Sequence, residues 1–471
     1  MSAWIIGFVS TLLAGLLLLI LAAETDPYFL VSYVLIYLNL MCVLFGFMLN
    51  RLRNKTFDIL DPLVYVQITF AFLFCFKTIG VINQDNVHLD MSSANDVSAM
   101  NLALLYALIW LIICYLGYCS QASDSIFMKI SKLPSMSRRK VKIWAPIILL
   151  IGIAAWAVKV YISGGIESII SKPNEALLGF YPLNLTIGFI NFCFFLSMAA
   201  GLKYSDRLLM KYAFFSGLFS FVKAFSSFSK GQFFNFVMGP LIIYYFARGT
   251  RPRMRSLFAL AAVGLCVFAF FEGFRNLSGG PLEAVSDPLL SVLNKVVSVS
   301  PEDFLLSGLS AITKKREGIE AFAIIVRDTE SLSFLETLRN LTIMFIPRFL
   351  WVDKPIISEG VLFGRQYLNE TGITAYTMTI PGSAYRNLYF PGIVISAFLI
   401  GVLLRALYRY LKTCKNKESA GFLYAFIFPA LGYFMEVGIL DLISGIIPLV
   451  VLGLFFIYLV RERPRDLTVS R

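Results

Sequence analysis

Apolar runs about as long as a membrane is thick recur along the whole chain, each closed by a short polar break. A helix needs about 20 apolar residues to cross the hydrocarbon core. Twelve stretches qualify: 3–22, 28–49, 61–82, 100–119, 143–161, 182–201, 211–227, 232–247, 256–272, 390–410, 420–436 and 442–460. The pattern predicts an all-α polytopic membrane protein with about twelve transmembrane helices. The run at 3–22 has no basic residues before it and is too long for a signal-peptide core, so it reads as the first span. The tight breaks at 227–232 and 436–441 are compatible with re-entrant segments, which leaves eleven to thirteen spans.

The polar breaks are not equivalent. Most of the 41 Lys and Arg residues lie in alternate ones. They cluster as Arg51/Arg53/Lys55, Lys129 to Lys142, Lys203/Arg207/Lys211, Arg248/Arg251/Arg253/Arg255, Arg405 to Lys417, and Arg461/Arg463/Arg465/Arg471. The positive-inside rule holds these breaks, and both termini, in the cytoplasm. The opposite breaks at 23–27 and 83–99 have no Lys or Arg, and that at 162–181 has only Lys172. One outer connection is long, 273–389, with eleven basic and twelve acidic residues. The organisation expected is nine helices over 1–272, a periplasmic loop subdomain over 273–389, and three helices with a cytoplasmic tail over 390–471.

Inside the loop, IEAFAIIVRDTESLSFLETLRNLTIMFI reads as two helices. The second carries Phe334, Leu335, Leu338, Leu341 and Ile343 on an apolar side. Pro and Gly gather from Pro347 to Pro391, where irregular backbone is expected. An interfacial subdomain lying on the outer leaflet fits this better than a free soluble domain.

Composition narrows the function classes. The chain is 58% hydrophobic and 15% charged, which a soluble domain could not hide. The formal charge of +12 is dispersed over the flanks of apolar spans, so nucleic acid is not expected as a partner. Attraction to a phospholipid bilayer with anionic headgroups is. The seven cysteines avoid the long loop and form no CxxC pair, and His88 is the sole histidine. A disulfide-stapled loop, a multi-His metal site and His-based nucleophile activation are therefore not expected. No outer loop holds an Asp-x-Asp, so no metal or other cofactor is expected.

Lys77, Lys159 and Lys223 interrupt apolar spans near the ends that face the long loop, and Lys230 lies in the adjacent hairpin. Each alone reads as a snorkelling side chain. Four at one level favour an anion site somewhat more. Glu272, Glu436 and Asp441 sit at the same level as partners for them.

Three segments carry a family signal: PRFLWVDKP at 347–355, FGRQYLNETGIT at 363–374 and PGSAYRNLYFPG at 381–392. With the SKG turn at 229–231 and one large outer loop late in a twelve-span chain, they resemble the Wzy-type oligosaccharide repeat-unit (O-antigen) polymerases. In that family the last motif usually reads Glu-Ala-Tyr-x-Asn-Phe-Gly. Here it is Ser383-Ala384-Tyr385-Arg386-Asn387-Leu388-Tyr389, so the acid is lost or moved. The resemblance implies a GT-C-like enzyme of the bacterial inner membrane. Its substrate would be an undecaprenyl-diphosphate-linked oligosaccharide, which it polymerises into O-antigen or a related polysaccharide, with undecaprenyl diphosphate as leaving group. A chain-length regulator is a further possible partner.

That chemistry asks for fixed cations around the departing diphosphate, and the planar fork of Arg suits phosphate oxygens best. Arg348 is the first choice as a catalytic cation. Lys230, Arg275, Arg339, Lys354, Arg365 and Arg386 are candidates for holding diphosphate or glycan, with Tyr385 and Asn387 of the last motif beside them. The acceptor hydroxyl must lose a proton, for which Asp353, Glu359, Glu370 and Glu272 are candidate bases. The bland alternatives are ion pairing of the arginines with Asp353, Glu359 or Glu370, and membership of the tyrosines in an interfacial aromatic belt. Two rival functions share these features: an O-antigen ligase, and a flippase or transporter of the same lipid-linked unit.

Overall fold

The computed structural model describes residues 27–54, 57–82, 94–129, 132–162, 186–226, 230–249, 318–330, 333–344, 354–355, 357–369, 376–432 and 435–462, with single positions at 15, 183, 300, 346 and 351. Among them there is no strand; one isolated bridge joins Met136 and Arg461. The helices are α1 (Pro27–Asn54), α2 (Pro62–Ile82), α3 (Ala94–Cys119), α4 (Ala122–Lys129), α5 (Arg138–Ile162), α6 (Phe189–Tyr204), α7 (Arg207–Ser226) and α8 (Lys230–Arg248). After the long gap come α9 (Gly318–Asp328), α10 (Phe334–Met344), α11 (Glu359–Tyr367), α12 (Ile380–Thr413), α13 (Lys417–Gly432) and α14 (Ile439–Leu459).

Six of the described helices are long and apolar enough to cross a bilayer: α1, α2, α3, α5, α12 and α14. The chain is thus an all-α, multi-pass membrane protein. The expected spans at 182–201, 211–227, 232–247 and 420–436 coincide with α6, α7, α8 and α13, which are shorter or less apolar. Those at 3–22 and 256–272 fall outside the described residues.

Contacts divide the chain into two units. The first comprises 1–130, 312–410 and 430–447. Its α2 starts where Asp61 caps Leu63 N ahead of Pro62, a position where the missing N–H of proline is harmless. Ala71–Phe76 in α2 is π-helical. Helices α3 and α12 approach at reciprocal glycines: a Cβ on Gly117 would lie 2.2 Å from Phe398 O, and one on Gly401 would lie 2.1 Å from Cys114 O. Small residues at such crossings let backbones meet, the usual route to close packing without a hydrophobic drive. Beside this crossing, at the C-terminal end of α3, Tyr118 Oη donates to Asp61 Oδ2 over 2.6 Å, and Tyr408 Oη donates to Asp58 Oδ2 over 2.6 Å. Arg53 donates to the carbonyls of Tyr118 and Cys119, and Arg409 pairs with Asp124. Two of the basic clusters therefore meet at one end of this unit.

The second unit comprises 131–311, 411–429 and 448–471. Its core is aromatic: Phe192 stacks on Phe426 with centroids 3.9 Å apart and meets Phe456 at 4.7 Å. Basic clusters again converge at one end. Lys203 Nζ lies 2.7 Å from Glu418, Lys142 Nζ lies 2.7 Å from Asp206, and Lys140 donates to Arg461 O. Lys142, with Arg138, holds the Asp206 carboxyl well below its ordinary value.

Three sequence expectations need correction. The stretch before Pro391 is not irregular throughout: α11 is a regular helix, and α12 begins ten residues before the expected span. Thr379 Oγ1 accepts from Gly382 N at its start, and Pro381 sits in the first turn, where no backbone donor is needed. The break comes instead at Leu388 and Tyr389, the latter at φ 52°, ψ −143°. Pro391 cannot donate to Asn387 O and its ring would crowd that carbonyl, which accounts for the kink. Second, Lys77 does not snorkel. It is 1% exposed, and its Nζ lies 3.6 Å from Glu320 on α9, itself fully buried. Third, of the three acids at the level of the span lysines, Asp441 takes the start of α11 as its partner.

Candidate functional site

Helices α9, α10 and α11 and the first two turns of α12 form a cluster in the first unit. Its apolar floor is Ala321, Ile324, Ile325, Phe363 and Met378, with Tyr367, Tyr376 and Tyr385 packed against it. Arg327 at the end of α9 ties this floor to Asp96 at the start of α3.

Over the floor, two helices exchange caps. The first N–H groups of any helix lack partners within the helix and carry a partial positive charge. Glu359 opens α11, and its Oε2 accepts from Leu440 N at the start of α14 over 2.7 Å. Asp441, in the first turn of α14, accepts from Glu359 N over 3.0 Å and from Ser358 Oγ over 3.2 Å. Each carboxylate thus caps the other's helix. Ser383 Oγ donates to Glu359 Oε1 over 2.7 Å and accepts from Ile439 N over 3.1 Å, which closes the network. Gly438 is required here, because a Cβ would lie 2.1 Å from Glu359 Oε2. Glu359 is fully buried. Burial pushes its carboxyl up to about 7, with the nearby Asp441 adding to the rise, against the Ser383 and Leu440 hydrogen bonds and Arg386.

One turn along α12, Arg386 is only 3% exposed. Its Nη2 lies 3.2 Å from Glu336 Oε2 on α10. Its Nε is buried and has no hydrogen-bond partner among the described residues. The Tyr367 hydroxyl lies close by and shares a 2.9 Å hydrogen bond with Thr329 Oγ1; burial raises its pKa. Asn387 donates to Ser383 O over 2.8 Å and accepts from Thr337 Oγ1. Ser333 N donates to Arg386 O over 3.1 Å, so the start of α10 is bonded to the turn 383–387.

A buried guanidinium with an unmet donor is unusual, because such groups are almost always satisfied. The arrangement can take an acceptor oxygen, best an anionic one. Glu336, with its side chain 37% exposed, stands beside it as an accessible carboxylate.

The sequence candidates sort as follows. Arg386, Asn387, Tyr385 and Glu359 come together. Tyr385 stacks on Tyr106, centroids 5.5 Å apart. Arg339 and Arg365 are exposed on α10 and α11. Lys354 is turned to structure, its Nζ donating to Met344 O over 3.1 Å and Ile346 O over 2.8 Å at the end of α10. Lys230 opens α8 in the second unit. Arg348, Asp353, Glu370, Arg275 and Glu272 lie outside the described residues. Arg386 is ion-paired, as in its bland reading, but with Glu336, a residue that no motif singles out. Ser383, noted only as a missing acid, and Asp441 are the other members that sequence did not place. No group of three or more His, Cys, Asp or Glu able to hold a metal occurs among the described residues.

No protein-family model matches the chain, and no curated protein and no solved structure matches it.

Proposed function

We propose that the chain polymerises undecaprenyl-diphosphate-linked oligosaccharide units at the periplasmic face of a bacterial inner membrane. In this reading it has twelve spans, GT-C-like architecture and both termini in the cytoplasm. The observation that carries the proposal is Arg386. It belongs to the segment 381–392 that resembles the polymerases, and it is buried beside an accessible carboxylate, with an Nε donor that has no partner among the described residues.

The chemistry then assigns roles. The acceptor sugar hydroxyl gives its proton to Glu336 as its oxygen bonds to the anomeric carbon of the growing chain. The bond from that carbon to the diphosphate oxygen breaks, and undecaprenyl diphosphate leaves with the electron pair. Arg386 stabilises the charge that develops on the leaving group in a site poor in water. Glu359, fully enclosed and with both oxygens bonded, positions the turn 383–387 rather than touching substrate. The acid absent at position 383 is in this way supplied in space by Glu359, through Ser383.

The test is product analysis with purified protein in nanodiscs, given a lipid-diphosphate-linked oligosaccharide alone. A ladder of longer lipid-linked glycans that disappears in Arg386→Gln supports the reading. Movement of intact substrate across a sealed bilayer without a ladder makes the chain a flippase. Transfer only after a lipid A core acceptor is added makes it a ligase.

A further inference from the structure

Helix α10 is amphipathic the wrong way round for water. Its polar side faces the protein: Glu336 meets Arg386, Thr337 meets Asn387, and Asn340 is 3% exposed. Its apolar side faces out: Phe334 is 38%, Leu335 78% and Leu338 42% exposed. A helix on an aqueous surface turns its apolar stripe to the core and its polar face to solvent. The opposite order is stable only where the surroundings are apolar.

Three further observations name those surroundings. The turn that α10 is bonded to, 383–387, leads within three residues into Phe390, 42% exposed, and on to Ile395, 49%, and Leu399, 53%, on the outer side of the α12 span. Beyond the end of α10, Ile346 and Trp351 are also exposed, at 39% and 37%, and Trp is favoured at the bilayer interface. Finally, Lys354 Nζ meets the carbonyl of Met344, the last residue of α10, and that of Ile346 just beyond it, which satisfies backbone acceptors as an apolar setting demands.

We infer that α10 is seated in the bilayer, with Phe334, Leu335 and Leu338 against phospholipid acyl chains. Arg339 lies between Leu335 and Leu338 on one side and Thr342 on the other; its carbonyl accepts from Thr342 Oγ1, and its exposed guanidinium has no ion-pair partner among the described residues. Its long stem follows the apolar surface and places the guanidinium at the phosphate level of the same lipids. Arg339 is thereby an anchor for phospholipid headgroups, not a holder of the reacting diphosphate. The inference rests on the membrane-spanning architecture and stands whether or not the proposed polymerase activity does.

The test places a diazirine-bearing amino acid at one position at a time in the full chain. The protein is reconstituted in vesicles of phosphatidylethanolamine and phosphatidylglycerol and irradiated. Positions 335 and 338 are expected to give phospholipid adducts at a yield within about twofold of position 399 on the α12 span, and position 340 at least tenfold less. Adducts at 399 with only water-quenched product at 335 would overturn the inference. So would a covalent dimer at 335 in place of the lipid adduct, since a second copy would then cover the face. An Arg339→Gln variant with the probe at 335 checks the anchor: a drop in phosphatidylglycerol adducts supports it, and an unchanged yield removes Arg339 from the assignment.

Discussion

Replacing Glu359 with Gln should change how stability depends on pH, and in a direction opposite to ordinary acid denaturation. In the native protein the carboxyl keeps its proton until about pH 7, because burial disfavours the charged form; the ordinary value is 4.5. Between those two values the unfolded chain has lost a proton that the folded chain still binds. Stability therefore falls as pH rises from 4.5, and levels off above about 7. At about 1.4 kcal/mol per pH unit over roughly 2.5 units, the drop is about 3 kcal/mol. A glutamine keeps the shape and still accepts from Leu440 N, but its NH₂ must donate to Ser383 Oγ, which reverses that bond and costs about 1 kcal/mol. The variant should thus be slightly less stable than wild type at pH 5 and more stable, by about 2 kcal/mol, at pH 8. Asp206 does not confuse the result: its carboxyl is held below the ordinary 3.8 by Lys142 and Arg138, so its contribution is lost only in stronger acid. The assay is the unfolding midpoint in detergent, followed by far-ultraviolet circular dichroism from pH 5 to pH 8. Parallel curves for wild type and Glu359→Gln across that range would refute the reasoning, since the carboxyl would then be ionised in the folded state at pH 5.

The buried pair of Lys77 and Glu320 predicts that Lys77→Met destabilises by about 3–5 kcal/mol, while Lys77→Met with Glu320→Leu recovers most of the loss; a double variant as unstable as the single would refute it in the same unfolding assay. Gly401→Ala puts a methyl on Cys114 O and should lower stability by about 1–3 kcal/mol, read as a lower melting midpoint, with an unchanged midpoint showing that α3 and α12 do not meet there. Arg348→Ala should abolish long glycan chains while the protein still inserts, and normal chain lengths at native expression would remove Arg348 from the site.

Six spans were legible, because an apolar run of membrane length has few alternative readings. Every expected span within the described residues overlaps a helix, though α12 begins ten residues early. Helix starts near proline were less legible. The run Thr379-Ile380-Pro381 holds a side-chain cap and a proline in the first turn, a recognised start signal, yet the surrounding Pro and Gly read as irregular chain. Buried charge was not legible at all. Lys77 looks the same in sequence whether it reaches for water or for Glu320, 243 positions away. The same holds for the caps exchanged by Glu359 and Asp441, which are separated by 82 positions.

Those pairings also sort the carboxylates, which spacing could not. A base that takes a proton from a substrate must be reachable, and it must not already be holding the fold together. Glu359 meets neither condition, because its two oxygens cap α14 and bind Ser383 in a closed interior. Glu336 is reachable: it is partly exposed, and it touches the arginine of the motif, whose Nε has no hydrogen-bond partner among the described residues. It went unnoticed because it lies on a helix whose outward face is apolar, where a single acid in the sequence reads as ordinary polar relief. The orientation of α10 gives it another meaning. On a helix whose apolar face points outward, this partly exposed carboxylate is positioned by its pair with Arg386. Glu336→Gln should accordingly lower glycan elongation far more than it lowers the melting midpoint, whereas Glu359→Gln should change the pH dependence of stability and leave some elongation in place.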